Sequence, residues 1–439
     1  MLHCDQNGCH ISGRSGLLAL LVVLLPLPSS TAAAELTLQM AEQLALQEDL
    51  TAARFEVLAD ARQQQALADA QLPDPKLKLG AVNLPADSLD RDQEPMTQMQ
   101  IGVQQVFPPG QTLGLTSQRT GLMARAEQLR AAAMRREVLR DVRERYLEVW
   151  YHVQAGQTID ASRGLFDQLA DVTRSHYAAG RNNQQDVLRA NVELALLEDR
   201  RTRIRTDEEK MRAELARLIG ASAANASLPA ILPPLPAPPP YETLLAELDQ
   251  HPLLQVDSIG VEAEQRGVDI ARQRYKPGWM LDVTYGDRAG ENIDGSERDD
   301  FLSAMVILDL PLFTAKRQDR ILATRQQEVE AARMQRDDQY RELLQQLNSN
   351  IAEWTRLNER LELYRDSIVP QSAQNARAAV AAYQSGVTDF SGVMRSRLTE
   401  LDVRLQALRL RVDRNRTAAR LLYLAPEPVA ASAISAGVS

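Results

Sequence analysis

The sequence predicts a mainly α-helical chain that also carries membrane β-strands, built from two copies of a long helical hairpin. Three observations predict it. First, no proline occurs between Leu113 and His176, and Ala, Leu, Arg, Glu and Gln dominate that stretch. These are strong helix formers. About 65 residues at about 1.5 Å each span about 100 Å, far more than an ordinary globular core. Second, short runs ahead of each long helix alternate polar and apolar side chains, and period-two alternation reads as strand. Third, landmarks recur: Pro75 with Pro277, Pro108 with Pro311, Trp150 with Trp354, and Gly180 with Gly386, at separations of 202, 203, 204 and 206 residues. Such a pattern marks an internal duplication.

Residues 1–34 read as a secretory signal. Arg14 precedes an apolar core, Leu17 to Leu27, and Ala32-Ala33-Ala34 places cleavage before Glu35. The apolar core is too short to span a bilayer as a helix. The first repeat is expected over 35–220. An amphipathic segment, Leu36 to Leu50, leads into a helix from Thr51 to Gln71, which Pro73 and Pro75 stop. Strands follow at about 76–84 and 97–107, around a polar loop. Each has the length with which a tilted strand crosses a bilayer. The long hairpin turns near Gly180 and returns from Asn183 to Ile219. There Leu197, Ile204, Met211 and Leu218 lie one heptad apart, as a coiled-coil seam requires. The return helix covers about half of its partner. The helix from Thr51 supplies the rest, so one long helix is expected beside two shorter ones in series.

Gly220 caps the return helix, and residues 221–240 form a proline-rich, stiff linker. The second repeat, 241–425, begins with helices over Tyr241–Asp249 and Pro252–Tyr275. Strands are expected at about 278–286 and 301–310, around an acidic loop. A long helix runs from about Ala315, interrupted by Pro370, to a tip near Gly386. The return helix carries Met394, Leu398, Leu401, Leu405, Leu408, Val412, Ala419 and Leu422 on one seam, with Asn415 its single polar member. Residues 426–439 read as a flexible tail.

The net charge of −9 argues against nucleic acid, which demands a basic face. Both cysteines, Cys4 and Cys9, fall in the signal. Of the histidines only His152, His176 and His251 remain after cleavage, far apart in the chain. Met96, Met99, Met280, Met305 and Met394 are dispersed and read as packing or lipid contacts rather than soft metal ligands. No metal site or cofactor is expected. No nucleophile–base pair or phosphate loop appears, so no enzyme is expected.

Four strands cannot close a barrel alone, and lipid does not tolerate open strand edges. Two or three copies must therefore share one barrel by closed symmetry, with the long helices extending the wall as a tube.

The order helix–strand–strand–long helix–tip–helix, met twice, resembles the TolC family of outer-membrane efflux channels. Tyr177-x-x-Gly180 followed by Asp186-Val187-Leu188 is similar to that family's periplasmic tip motif, and Tyr383-x-x-Gly386 to its second copy. Pro311-Leu312-Phe313 resembles its strand-to-helix junction, and Val369-Pro370-Gln371 the run before its second tip. Leu72-Pro73-Asp74-Pro75-Lys76-Leu77, Asn83-Leu84-Pro85, Pro95-Met96-Thr97 and Gln105-Val106-Phe107-Pro108 resemble the heavy-metal branch. The resemblance implies a homotrimer with a twelve-strand barrel in outer-membrane lipid and its helices in the periplasm. It also implies two partners, a periplasmic adaptor and an inner-membrane pump of the RND type. The expected function is a passive exit duct for heavy-metal cations. The alternatives are a duct for drugs or secreted polypeptides and, from another class, a periplasmic coiled-coil adaptor.

Two groups of residues are expected at the tips. Asp186, Arg189, Asp389 and Arg395 are candidates for a periplasmic gate, since threefold closure turns one carboxylate into a ring. The bland reading of the acids is helix capping and dipole compensation. Tyr177, Gly180, Arg181, Tyr383, Gly386 and Val387 are candidates for the adaptor-docking tip. Tyr275, Trp279, Tyr285 and Phe301 are candidates for an aromatic girdle at the membrane interface.

Overall fold

The structure is a computed structural model that describes residues 35–180 and 183–425. The expected signal, the expected tail and Arg181 of the tip lie outside the described residues.

The chain opens with α1 (Leu38–Gln47) and α2 (Leu50–Asp69). Thr37 caps α1 by accepting the Met40 N–H. Asp49 caps α2, accepting from Thr51 and Ala52 at 3.0 and 2.9 Å. Such side chains satisfy N–H groups that a helix start leaves unpaired. Strand β1 (Lys76–Val82) and strand β2 (Gln98–Phe107) follow. β1 stops two residues short of the expected end because Asn83 turns the chain at φ +57°. Asn83 also donates to the Met96 carbonyl at 3.1 Å and accepts from the Thr97 hydroxyl at 2.8 Å.

Helix α3 (Thr112–Ala178) runs 67 residues without a break. α4 (Gln184–Ile219) returns, and α5 (Ala221–Ala224) is a single turn. After the linker come α6 (Tyr241–Ala246) and α7 (Pro252–Gln273). Strands β3 (Gly278–Asp287) and β4 (Phe301–Asp309) precede α8 (Gln318–Leu363). A π-helical turn, Tyr364–Ile368, leads into α9 (Val369–Gln384), and α10 (Phe390–Leu424) returns.

Pro370 does not interrupt the helix, contrary to expectation. It sits in the first turn of α9, and the π turn lies directly ahead of it. Proline lacks an N–H and its ring collides with the carbonyl four residues back. A five-residue turn relieves that collision while the chain stays helical.

α3 packs against α2, α4, α7 and α10. α2 buries Ala52, Ala59 and Ala66, spaced by one heptad, so a small-residue seam meets α3. Side chains of α3 also reach across: Ser117 donates to the Ala66 carbonyl at 2.7 Å and Thr120 to Asp69 at 2.6 Å. α4 buries Ala190 and Leu197 on the next stretch of α3, with Ile204 packed on the same cluster. From α10, Leu401, Leu405, Leu408 and Val412 join it, with Leu398 partly buried alongside. Asn415, the polar member of that seam, is buried and donates to the Pro233 carbonyl at 3.3 Å. Trp150 similarly donates to the Pro229 carbonyl at 2.8 Å. Two helices thus hold the linker by its backbone.

Among the described residues the strands form one antiparallel sheet in the order β1-β2-β3-β4. Leu79 faces Ile101, Ile101 faces Tyr285, and Tyr285 faces Leu302. No helix among the described residues is long and apolar enough to cross a membrane.

Candidate functional site

Directly opposed residues of an antiparallel pair share a face, and successive residues alternate. The register therefore sorts the sheet. One face carries Leu77, Leu79, Ile101, Val103, Val283 and Leu302, and Leu79 and Leu302 are 70 % and 77 % exposed. Apolar area of this kind is costly in water. The other face is polar. Its centre is Asp282, 6 % exposed, which accepts from Lys78 at 3.2 Å, Gln104 at 2.6 Å and Thr284 at 2.7 Å. Gly102 makes room for this cluster: a Cβ there would lie 2.5 Å from the Thr284 hydroxyl.

The four expected girdle aromatics do not form one belt. Trp279 and Tyr285 lie on the apolar face, near opposite ends of β3. Trp279 stacks on Phe107 with ring centroids 3.9 Å apart. Phe301 pairs with Gly286 and so falls on the polar face, one residue out of phase. The Arg288 guanidinium covers its ring at 3.9 Å. Tyr275 precedes β3 and donates to Asp319 at 2.7 Å. Phe107 was missed as a partner because the stack joins residues 172 positions apart.

At the end of the sheet away from the helices, the two strand-connecting loops are tied together. Arg298 Nη1 donates to the carbonyls of Asp92, Glu94 and Ala289 at 3.2, 3.3 and 3.0 Å. Arg288 reaches the Pro95 carbonyl at 3.2 Å, and Arg91 pairs with Asp287.

At the tips, Gly180 and Gly386 take φ of +70° and +75°. Their N–H groups bond the carbonyls of Tyr177 and Tyr383 at 2.9 and 3.0 Å. Nothing lies within 4 Å of where a Cβ would stand on either, so the left-handed backbone alone requires glycine. The tyrosines differ. Tyr177 is exposed. Tyr383 is 9 % exposed, with its ring against Phe390 and His176, which corrects its expected place on a docking surface. Val387 is 80 % exposed.

The gate candidates separate as well. Asp389 is the N-cap of α10, accepting from Gly392 at 2.9 Å. Asn183 caps α4, accepting the Asp186 N–H at 3.0 Å, and Asp186 lies in the first turn. Arg189 donates to Ser391 at 2.9 Å and so joins the two hairpins of one chain. Arg395 is exposed and forms no ion pair among the described residues. Among the described residues, no ion pair joins these four to one another.

A charged lattice that the sequence reading passed over lies midway along the helices. Glu144 and Glu148 of α3 meet Arg409, Arg416 and Arg420 of α10. Its signal was in the spacing, since acids four apart and arginines seven and four apart keep one helical face. Burial pushes the Glu148 carboxyl up, but the Arg409 hydrogen bonds and the Arg416 charge outweigh it and hold the group below its ordinary value. Nearby Tyr146 donates to the Leu36 carbonyl at 2.8 Å, and burial pushes its hydroxyl up to about 12.

A sheet with one bare apolar face is joined to paired helices far longer than a globular core. The family model described as outer membrane efflux protein matches residues 244–425. Those residues run from α6 to the end of α10. Among curated protein sequences, none matches the chain. The fold is similar to that of VceC, the outer membrane protein of Vibrio cholerae, with a TM-score of 0.74 and 18 % identity over 88 % of this chain and 95 % of that one. It is also similar to a membrane protein from Pseudomonas aeruginosa, with a TM-score of 0.76 and 15 % identity over 88 % and 89 % of the two chains. CusC, described for its transmembrane channel formation, gives 0.74 and 14 % over 90 % and 93 %.

Proposed function

We propose that the chain is the outer-membrane duct of a tripartite efflux system, with its sheet in the membrane and its helices in the periplasm. One observation carries the reading. The four-stranded sheet ends in two strands, β1 and β4, whose outer edges have no partner among the described residues, and one of its faces is apolar and bare. Both defects disappear if three copies pair β4 to β1 around a closed twelve-strand barrel, since closure alone removes strand edges. The apolar face then meets lipid, and the Lys78–Asp282 cluster faces the lumen. The hairpins carry the wall toward an inner-membrane pump of the RND type, with an adaptor docking at Tyr177, Gly180, Arg181, Gly386 and Val387. Trp279 and Tyr285 lie about 20 Å apart along β3, at about 3.3 Å per residue, on the face that meets lipid.

Heavy-metal cations are the proposed cargo, on the strength of the branch-like segments at Leu72–Leu77 and Asn83–Pro85. The duct itself does no chemistry on them; a polar lumen and acidic strand-connecting loops provide a path.

Membrane fractionation and mass measurement in mild detergent test the proposal. A trimer recovered from the outer membrane is expected, together with metal sensitivity on deletion. A soluble monomer would sink it.

A further inference from the structure

The outer edges of β1 and β4 are unpaired among the described residues, and each carries one isolated charge. Lys76 opens β1 and Asp309 closes β4, both at the end of the sheet that meets the helices. Both lie on the polar face. Both are exposed, and neither side chain forms an ion pair or a hydrogen bond among the described residues. Arg274, Lys276 and Arg317 line a cleft with Asp309, yet none of them pairs with it. Within one chain Lys76 and Asp309 are held apart by three strand spacings, about 14 Å at about 4.8 Å each.

The register of the sheet restricts how β4 of one copy can meet β1 of the next. A slip of one residue turns every side chain to the wrong face, so the row Leu302, Ala304, Val306 and Leu308 must face Leu77, Leu79 and Ala81. Lys76 lies opposite Gln104, Gln104 opposite Asp282, and Asp282 opposite Met305. If Asp309 faces Lys76 of the next copy, Met305 faces Gly80 of that copy. The line of pairing then shifts from Lys76 to Gly80, four residues for four strands crossed. At about 3.3 Å per residue and about 4.8 Å between strands, the strands tilt by about 35°, as closed membrane barrels require. The strands already step in that sense, since the line through Lys76 crosses β4 at Met305, short of its end at Asp309. A slip of two residues one way reduces the tilt to about 19° and sets Asp309 against Asp74, a like charge, which is destabilising. A slip of two the other way raises it to about 46° and sets Asp309 against Lys78, which Asp282 already holds at 3.2 Å.

We propose that neighbouring copies of this chain join in a single register, with Leu77 opposite Leu308, Leu79 opposite Val306 and Ala81 opposite Ala304, and that Lys76 and Asp309 form the ion pair that fixes it. Three such pairs ring the helix end of the barrel on its polar face. The pair selects the register more than it adds strength: an exposed ion pair contributes little, whereas the slipped alternatives lose a partner or oppose like charges. This inference rests on the closed-barrel reading of the strands.

The test is oxidative cross-linking of the full-length channel carrying Cys4→Ser and Cys9→Ser. Leu79→Cys with Val306→Cys, and Gly80→Cys with Met305→Cys, sample the two alternating kinds of opposed pair in an antiparallel ladder. At least one should form a disulfide between copies, read as a covalent trimer on a non-reducing gel. Leu79→Cys with Ala304→Cys, or with Leu308→Cys, reports the slipped registers. These should link about tenfold less, because diagonal neighbours lie about 7 Å apart, too far for the bond. Lys76→Glu and Asp309→Lys should each lower the temperature at which the trimer dissociates in SDS, and the two together should restore it. A stronger link in either slipped register, no link in any, or a double charge swap that restores nothing would overturn the proposal while a trimer persists. A wild-type chain that is monomeric in mild detergent overturns the duct reading itself, and this register with it.

Discussion

Arg409 of α10 and Glu148 of α3 meet through two parallel hydrogen bonds, Nη1 to Oε2 at 2.7 Å and Nη2 to Oε1 at 2.9 Å. Arg416 approaches the same carboxylate from the other side, and Arg420 reaches Glu144 at 2.6 Å. The clasp joins helices that belong to different halves of the chain, at a level where both are inside the bundle. Removing one partner leaves a buried charge, which typically costs about 3 kcal/mol or more. Arg409→Leu should therefore lower the unfolding free energy of the detergent-solubilised protein by about 3 kcal/mol, the lower end because Arg416 remains. Glu148→Leu with Arg409→Leu should lose less than the two single changes added together. Strict additivity would mean that the pair contributes nothing specific.

His251 should give the protein an acid-sensitive step. Its ring is 1 % exposed, edge-on to Tyr423 at 5.0 Å. Burial, with Arg136 adding to it, lowers its pKa to about 4. The unfolded chain binds a proton near 6.5, so between 6.5 and 4 it holds more protons than the folded one. Stability is then complete above that window and falls as pH drops through it, by about 3 kcal/mol at most. His251→Asn keeps an acceptor for the Leu253 N–H, which the ring now caps at 3.4 Å, and cannot titrate. Its denaturation midpoint should vary less between pH 6.5 and 4 than the wild type's. Identical curves would show that His251 is not the group responsible.

The tips should tolerate no side chain on their glycines. At φ of +70° and +75° a β-branched residue costs about 1–2 kcal/mol of backbone strain. Gly180→Val and Gly386→Val should abolish efflux-dependent resistance while the barrel still inserts, as scored by plating assays and fractionation. Full resistance in both variants would remove the tips from adaptor docking.

The three polar side chains near the tips should separate in single-channel recordings. Asp186→Asn should lower cation selectivity, because its carboxylate has no hydrogen-bond or ion-pair partner among the described residues. Arg189→Ala cuts the link to Ser391 and should raise basal conductance. Asp389→Ala removes a helix cap and should cost about 1 kcal/mol without changing selectivity. Wild-type traces from the first two would place the constriction elsewhere.

Much of the fold was legible because it is local and repeated. Prolines at 73, 75, 108, 109, 277 and 311 bracket the strands, and the long proline-free run allowed α3 nothing but a helix. The seam of α4 could be read from Leu197, Ile204 and Met211 because heptad spacing survives any tertiary context. What stayed hidden depends on contacts between distant segments. Tyr383 looks like a second copy of Tyr177 in sequence, yet Phe390 and His176 cover it. Phe301 looks like another girdle aromatic, but a register one residue out of phase turns it to the opposite face. The relief of Pro370 by a π turn leaves no mark in the residue pattern.

That turn also sets the phase of everything below it. One residue advances a helix by about 100°, so the surplus residue of a π turn swings the following stripe of side chains by that angle. α9 buries Ala376 and Tyr383, seven residues apart, on the side where α10 returns. Were Tyr364–Ile368 an ordinary helical turn, the same stripe would point about 100° away, and Tyr383 would lose Phe390. A single surplus residue therefore acts as a crank in the shaft of the second hairpin. It decides which side of the tip is inside.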